Sequence, residues 1–171
     1  MQDLGHYQQF GATMSFPSPS PLPEETRFGI ASLLRPTVLA LLGLAGIARK
    51  AHWNVRGPMF AELHELFGEL YTATSDHADT LAEHIAMLGY PVSGDHVDVA
   101  DAAVITRMPE TLTAGRDLAR AVADRLTTTL MIVNAPKKDL LALGDDDAQQ
   151  KILDTSIALS KLGWMILAHV S

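Results

Sequence analysis

Apolar residues recur at three- and four-residue steps along most of the chain, with polar residues between them. From about Phe28 to Val55 the stripe is Leu33, Leu34, Val38, Leu41, Leu42, Ala45, Ala48 and His52, which predicts a helix. Proline is tolerated best at a helix start, so the regular helix is expected to begin close to Pro36. Arg56-Gly57-Pro58 then stops it and turns the chain. Met59 to Leu88 predicts a second helix, roughly 45 Å long. Its stripe is Leu63, Phe67, Leu70, Thr74, His77, Leu81 and Leu88, with Ile85 beside it, and Gly89-Tyr90-Pro91 ends it. Residues 96–104 suit a short helix within a connection too long for a tight turn, which lets a third helix return alongside the first pair. That third helix opens at Thr111 or Thr113 and reaches about Asn134, and Pro136 favours a break after it. A fourth starts at Asp145-Asp146-Asp147, where acids suit the positive end of the helix dipole, and runs to about Ala168. Four long amphipathic helices without a strand or a repeat predict an all-α four-helix bundle with a short helix in the middle connection.

Residues 1–26 lack this period and are rich in Gln, Ser and Pro. They are expected to form a flexible N-terminal tail, or an arm that docks on a partner subunit, ahead of a bundle domain at 27–171. The chain has 171 residues, 47% hydrophobic and 19% charged, with a formal net charge of −7. That balance describes an acidic globular protein and argues against broad nucleic-acid binding. Cysteine is absent, which removes disulfides and thiolate metal sites and is compatible with a reducing cytoplasm. The longest apolar run, Pro36 to Ala48, is too short to span a membrane, and the N-terminus lacks the pattern of a secretory signal. A cytoplasmic protein is expected.

The chemistry concentrates between residues 52 and 83. His52 and His64 lie on successive predicted helices, and Asp79 and Glu83 stand one helical turn apart on the second. With His64 at zero on a helical wheel, position 68 falls near 40 degrees, Asp79 near 60 and Glu83 near 100, so all share one face. Yet His64 and Asp79 are separated by roughly 22 Å along the axis, too far for one metal ion with ligands at about 2 Å. If the histidines and carboxylates serve one site, they come from two chains. A two-fold antiparallel pairing of this helix would bring them together twice. The Glu-x-x-His signature of single-chain di-iron bundles is absent.

AHWNVRGPMFAELHELF, followed by DHADTLAEHIAMLG, resembles the Dps family, the mini-ferritins also called DNA-binding proteins from starved cells. The resemblance covers about residues 30–170 and is most specific in HWNV-x-G-x-x-F-x-x-L-H with its gap to D-x-x-x-E; Trp164-Met165 and Ala168-His169 are similar too. It implies a ferritin-like four-helix subunit and a hollow dodecamer built from two-fold dimers. It also implies a ferroxidase that oxidises ferrous iron, preferably with hydrogen peroxide, and stores the ferric product, protecting against oxidative damage. By position, the catalytic and iron-binding residues are His52 and His64, with Asp79 and Glu83 from the two-fold partner. A further family acid, normally Asp, falls on Gly68, which supplies no ligand. Glu65 and Glu69 point away from that face. Water, His77 or His169 are the candidate replacements; the alternative is a storage or structural cage with a compromised ferroxidase site.

Other positions carry weaker expectations. His77 reads as a packed or interface residue, and His84 and His96 as surface or supporting residues. Trp53 is expected to pack beside the site and Trp164 to sit in the core. Asp145, Asp146 and Asp147 are either a helix cap or the acidic ring of a pore, an arrangement the resemblance implies near this part of the chain. DNA compaction is disfavoured: there is no Lys or Arg before Arg27, no Lys or Arg after Lys161, and Lys137-Lys138 is a small patch. Nucleoid association is therefore not expected.

Overall fold

The computed structural model describes residues 15–102 and 104–170; residues 1–14, the larger part of the expected tail, lie outside the described residues. Four long helices, α1 (Glu24–Asn54), α2 (Phe60–Met87), α4 (Gly115–Asn134) and α6 (Asp146–Ala168), form the bundle. Two short ones, α3 (His96–Ala102) and α5 (Lys137–Leu143), lie in the connections. No strand occurs among the described residues, only a bridge between Arg56 and Ala114 that ties the α1–α2 turn to the start of α4. α1 packs on α2 and α4, and α6 packs on the same two helices, while α2 and α4 barely touch.

α1 starts at Glu24, well before Pro36, and runs through it, which corrects the expected start near the proline. Ile30, Ala31 and Leu34 before the proline, and Val38 and Leu41 after it, are buried on one continuous stripe. Tertiary packing of that stripe outweighs the one missing backbone donor. α1 as a whole is long and apolar enough to cross a membrane, which the expectation of too short a span did not foresee. Here it is a core helix: a stripe of its apolar side chains is buried, and it packs on α2 and α4.

The segment before α1 lies along the C-terminal end of α2. Ser18 Oγ donates to the Met87 carbonyl at 2.6 Å, Phe16 N–H to Gly89 O at 2.7 Å, and Arg27 Nη1 to Leu88 O at 2.7 Å. These donors satisfy carbonyls that the end of a helix leaves without partners. Gly89 turns the chain at φ 95°, and a Cβ there would stand 2.7 Å from Phe16 O, so glycine is required twice over. Residues 24–26, inside the stretch assigned to the tail, are the first turn of α1.

The second helix follows its predicted stripe, with Leu63, Phe67, Leu70, Thr74, Leu81 and Ile85 buried. Trp164 does not follow expectation: it is 69% exposed, because α6 buries Thr155, Leu159, Leu162 and Ile166 and turns position 164 outward. Trp53 is 61% exposed and likewise does not pack into the chain that carries it.

Candidate metal centre

The α1–α2 turn brings the last turn of α1 against the first turns of α2. His52 and His64 stack there with ring centroids 3.7 Å apart, and Phe60 stacks on His64 at 5.1 Å. The contact is reciprocal. His52 Nδ1 lies 2.7 Å from the His64 carbonyl, and His64 Nδ1 lies 2.8 Å from the His52 carbonyl. A carbonyl oxygen only accepts, so each Nδ1 carries a hydrogen and donates it. The neutral tautomer that fits this contact carries its lone pair on Nε2, the form in which imidazole binds a metal ion.

Two backbone details make this possible. Arg56 N–H, which would continue α1, goes to Thr113 O instead at 2.8 Å, leaving the His52 carbonyl for His64. Position 68 lies one turn beyond the His64 carbonyl on α2, and a Cβ on Gly68 would stand 3.2 Å from His52 Nδ1 and 3.3 Å from Cε1. The absent side chain therefore leaves the His52 ring a few tenths of an ångström of extra room against α2.

The two histidines border an open depression of about 830 Å3 that Glu65, Glu69 and Asp76 also line. Glu65 and Glu69 are exposed and line the same depression as the histidine pair. Asp79 lines a different depression, with Ser75 and Asp95, and both Asp79 and Glu83 are exposed. Among the described residues no three His, Asp or Glu side chains gather closely enough to hold a metal ion. The chain thus brings His52 and His64 together and leaves Asp79 and Glu83 further along the same helix, as two separate fragments.

The remaining candidates have other partners. Thr155 Oγ1 donates to Lys151 O at 2.7 Å, so it accepts from His77 Nδ1 at 3.2 Å, and His77 is directed to α6 rather than to position 68. Burial holds the His77 pKa below its ordinary value, against the opposing pull of Asp154 and Asp76. His84 is buried, not on the surface: its Nε2 meets Asp145 Oδ2 at 2.9 Å, and its Nδ1 has no partner. Asp145 Oδ1 accepts from Ala148 N–H at 2.9 Å as the N-cap of α6. Asp145 is thus committed inside the bundle, while Asp146 and Asp147 are exposed. His96 is exposed at the start of α3, and His169 follows the end of α6. Sequence reasoning passed over Arg49. Its spacing of four residues to Trp53 was the available signal, since i and i+4 share a helix face.

Comparison with known proteins gives a consistent picture. The model of the ferritin-like domain matches residues 34–141. The DNA protection during starvation protein of Brevibacillus brevis is 36% identical over 122 residues, covering 70% of this chain and 79% of the relative. The protein of the same name from Agrobacterium fabrum is 26% identical over 149 residues, covering 87% and 92%. Among solved structures, Dps from Microbacterium arborescens in the high iron form superposes with a TM-score of 0.81 at 28% identity, covering 90% of this chain and 97% of that one.

Proposed function

This chain belongs to the Dps family of ferritin-like proteins, and on that footing we propose that it binds ferrous iron between subunits, oxidises it with hydrogen peroxide and stores the ferric product in a hollow homo-oligomer. Iron is the substrate and cargo. The observation that supports the reading is the reciprocal lock of His52 and His64, which uses both Nδ1 atoms and leaves the Nε2 atoms to bind a metal. Asp79 and Glu83 of a two-fold partner supply hard anionic oxygens that also stabilise the ferric charge. Mixed imidazole and carboxylate ligation suits iron better than a structural zinc site. Two ferrous ions each give up one electron; the O–O bond of peroxide breaks, takes up two protons and leaves as two waters. Consuming peroxide and ferrous iron together suppresses hydroxyl-radical formation. The assembly is a dodecamer built from two-fold dimers and acts in the bacterial cytoplasm.

Subunit mixing tests the shared site. His64→Ala and Asp79→Asn proteins are each expected to be slow in initial ferrous oxidation. Unfolded together and reassembled at equal amounts, half of the dimers are mixed and each holds one intact site, so about a quarter of the wild-type rate returns. No recovery, from variants that reassemble to wild-type size, would sink the two-chain site. Normal kinetics in His64→Ala would remove the histidines from it.

Gly68 favours a second reading, a storage cage with a weakened ferroxidase site, because glycine supplies no ligand where the family resemblance places an acid. Strong DNA binding is not part of either reading. The sequence has no Lys or Arg before Arg27 and a net charge of −7, so phosphate neutralisation would be weak. An electrophoretic shift at near-physiological salt and neutral pH would contradict this.

A further inference from the structure

The helix faces around the two histidines hold no further anionic donor. Residues three and four apart share a helix face. For His64 on α2 these are Phe60, Ala61, Phe67 and Gly68. Phe60 stacks on the His64 ring at 5.1 Å, Phe67 is buried in the core, and Gly68 has no side chain. For His52 on α1 they are Ala48, Arg49, Val55 and Arg56, of which Ala48 and Val55 are buried.

Arg49 and Arg56 bring positive charge instead. The Arg49 guanidinium carbon lies 5.4 Å from the Trp53 ring centre and 5.6 Å from that of Tyr71, so rings on two helices hold it one turn before His52. Arg56 Nη1 donates to Val55 O at 2.7 Å, one turn after His52. Neither arginine takes part in an ion pair among the described residues. Glu65, Glu69 and Asp76 also line the depression beside the histidines, but all three are exposed and none stands three or four residues from His64. Water weakens the pull of such exposed charges.

The donors at a shared site are therefore His52 and His64 with Asp79 and Glu83 of a two-fold partner. They amount to two neutral nitrogens and two single negative charges, which match the needs of one divalent ion. A second ion would add two positive charges with no further carboxylate and with two arginines flanking His52. We propose that each site holds one divalent ion, not two, and that glycine at 68 sets this number. The proposal rests on the shared site put forward above and adds its stoichiometry. One peroxide still oxidises two ferrous ions, which then do not share a site.

Co2+ titrated into the metal-free oligomer under nitrogen tests it. Co2+ stands in for ferrous iron, and its visible absorption reports the number and type of its ligands. Calorimetry of the wild type is expected to show one tight equivalent per subunit, weakened about tenfold or more in His64→Ala and in Asp79→Asn. Gly68→Asp puts a carboxylate one turn after His64, moving the His52 ring by a few tenths of an ångström, and is expected to take a second equivalent. A count that stays at one there would overturn the role given to position 68. Two tight equivalents in the wild type, both weakened in His64→Ala, would overturn the single-ion proposal and leave the shared site standing. An absence of tight binding, or an equivalent that His64→Ala and Asp79→Asn leave unchanged, would overturn the shared site and this proposal with it.

Discussion

The ring of His52 lies against Gly68, with the place of the missing Cβ 3.2 Å from its Nδ1. On the proposed reading Gly68 therefore has two effects: it supplies no carboxylate, and it gives the His52 ring a few tenths of an ångström of extra room. Gly68→Ala and Gly68→Asp separate them. Alanine favours the helix by about 1 kcal/mol but displaces the His52 ring by a few tenths of an ångström, so stability should change little. Iron affinity should fall by about tenfold as the histidine lock loosens. Asp brings the same crowding with a carboxylate, so ferrous affinity and initial oxidation rate should exceed those of the alanine variant by about tenfold. If the two variants bind and oxidise iron alike, the missing acid is not what limits the site.

Asp145 joins the end of α2 to the start of α6 through His84 and its own helix cap. Asp145→Ala removes the cap and takes away the one hydrogen-bond partner of the buried His84 ring, an expected loss of about 2–4 kcal/mol. Asp145→Asn keeps a capping oxygen and should lose less than half as much. Urea denaturation of the metal-free protein reads both, and equal losses would mean that the charge, not the cap, dominates.

His77 predicts a pH dependence. Its folded pKa lies below the ordinary 6.5, with burial as the first cause, so the unfolded chain binds the proton more readily. Its contribution to stability is complete above about pH 6.5 and is lost as pH falls through the lowered folded pKa. Denaturation midpoints of the metal-free protein should fall more steeply on acidification in wild type than in His77→Gln. Parallel curves would exclude His77 as the cause.

Much of this was legible because it depends on nearby residues. The stripe from Leu63 to Ile85 repeats with the helix period, and Pro136 and Gly89 mark breaks that backbone chemistry imposes. The separation of His64 from Asp79 was readable too, since the rise per residue alone puts them roughly 22 Å apart. What resisted reading depends on which face meets which neighbour. Pro36 sits inside α1 because long-range packing outweighs a local cost. Trp164 and His84 exchanged their expected places: a wheel gives an angle, but not whether another helix stands at that angle.

The sequence by itself determined the helices and their order, because these follow from local periodicity and residue chemistry; the proposed ligand positions and the acid expected at 68 came from the family resemblance. Only the tertiary structure decided that His52 and His64 hold each other's carbonyls, that Asp145 is tied to His84, and that Arg49 is gripped between Trp53 and Tyr71. Each of these joins atoms on different helices, and their meeting is fixed by the register of one packed helix against another, which no single helix carries in its own sequence.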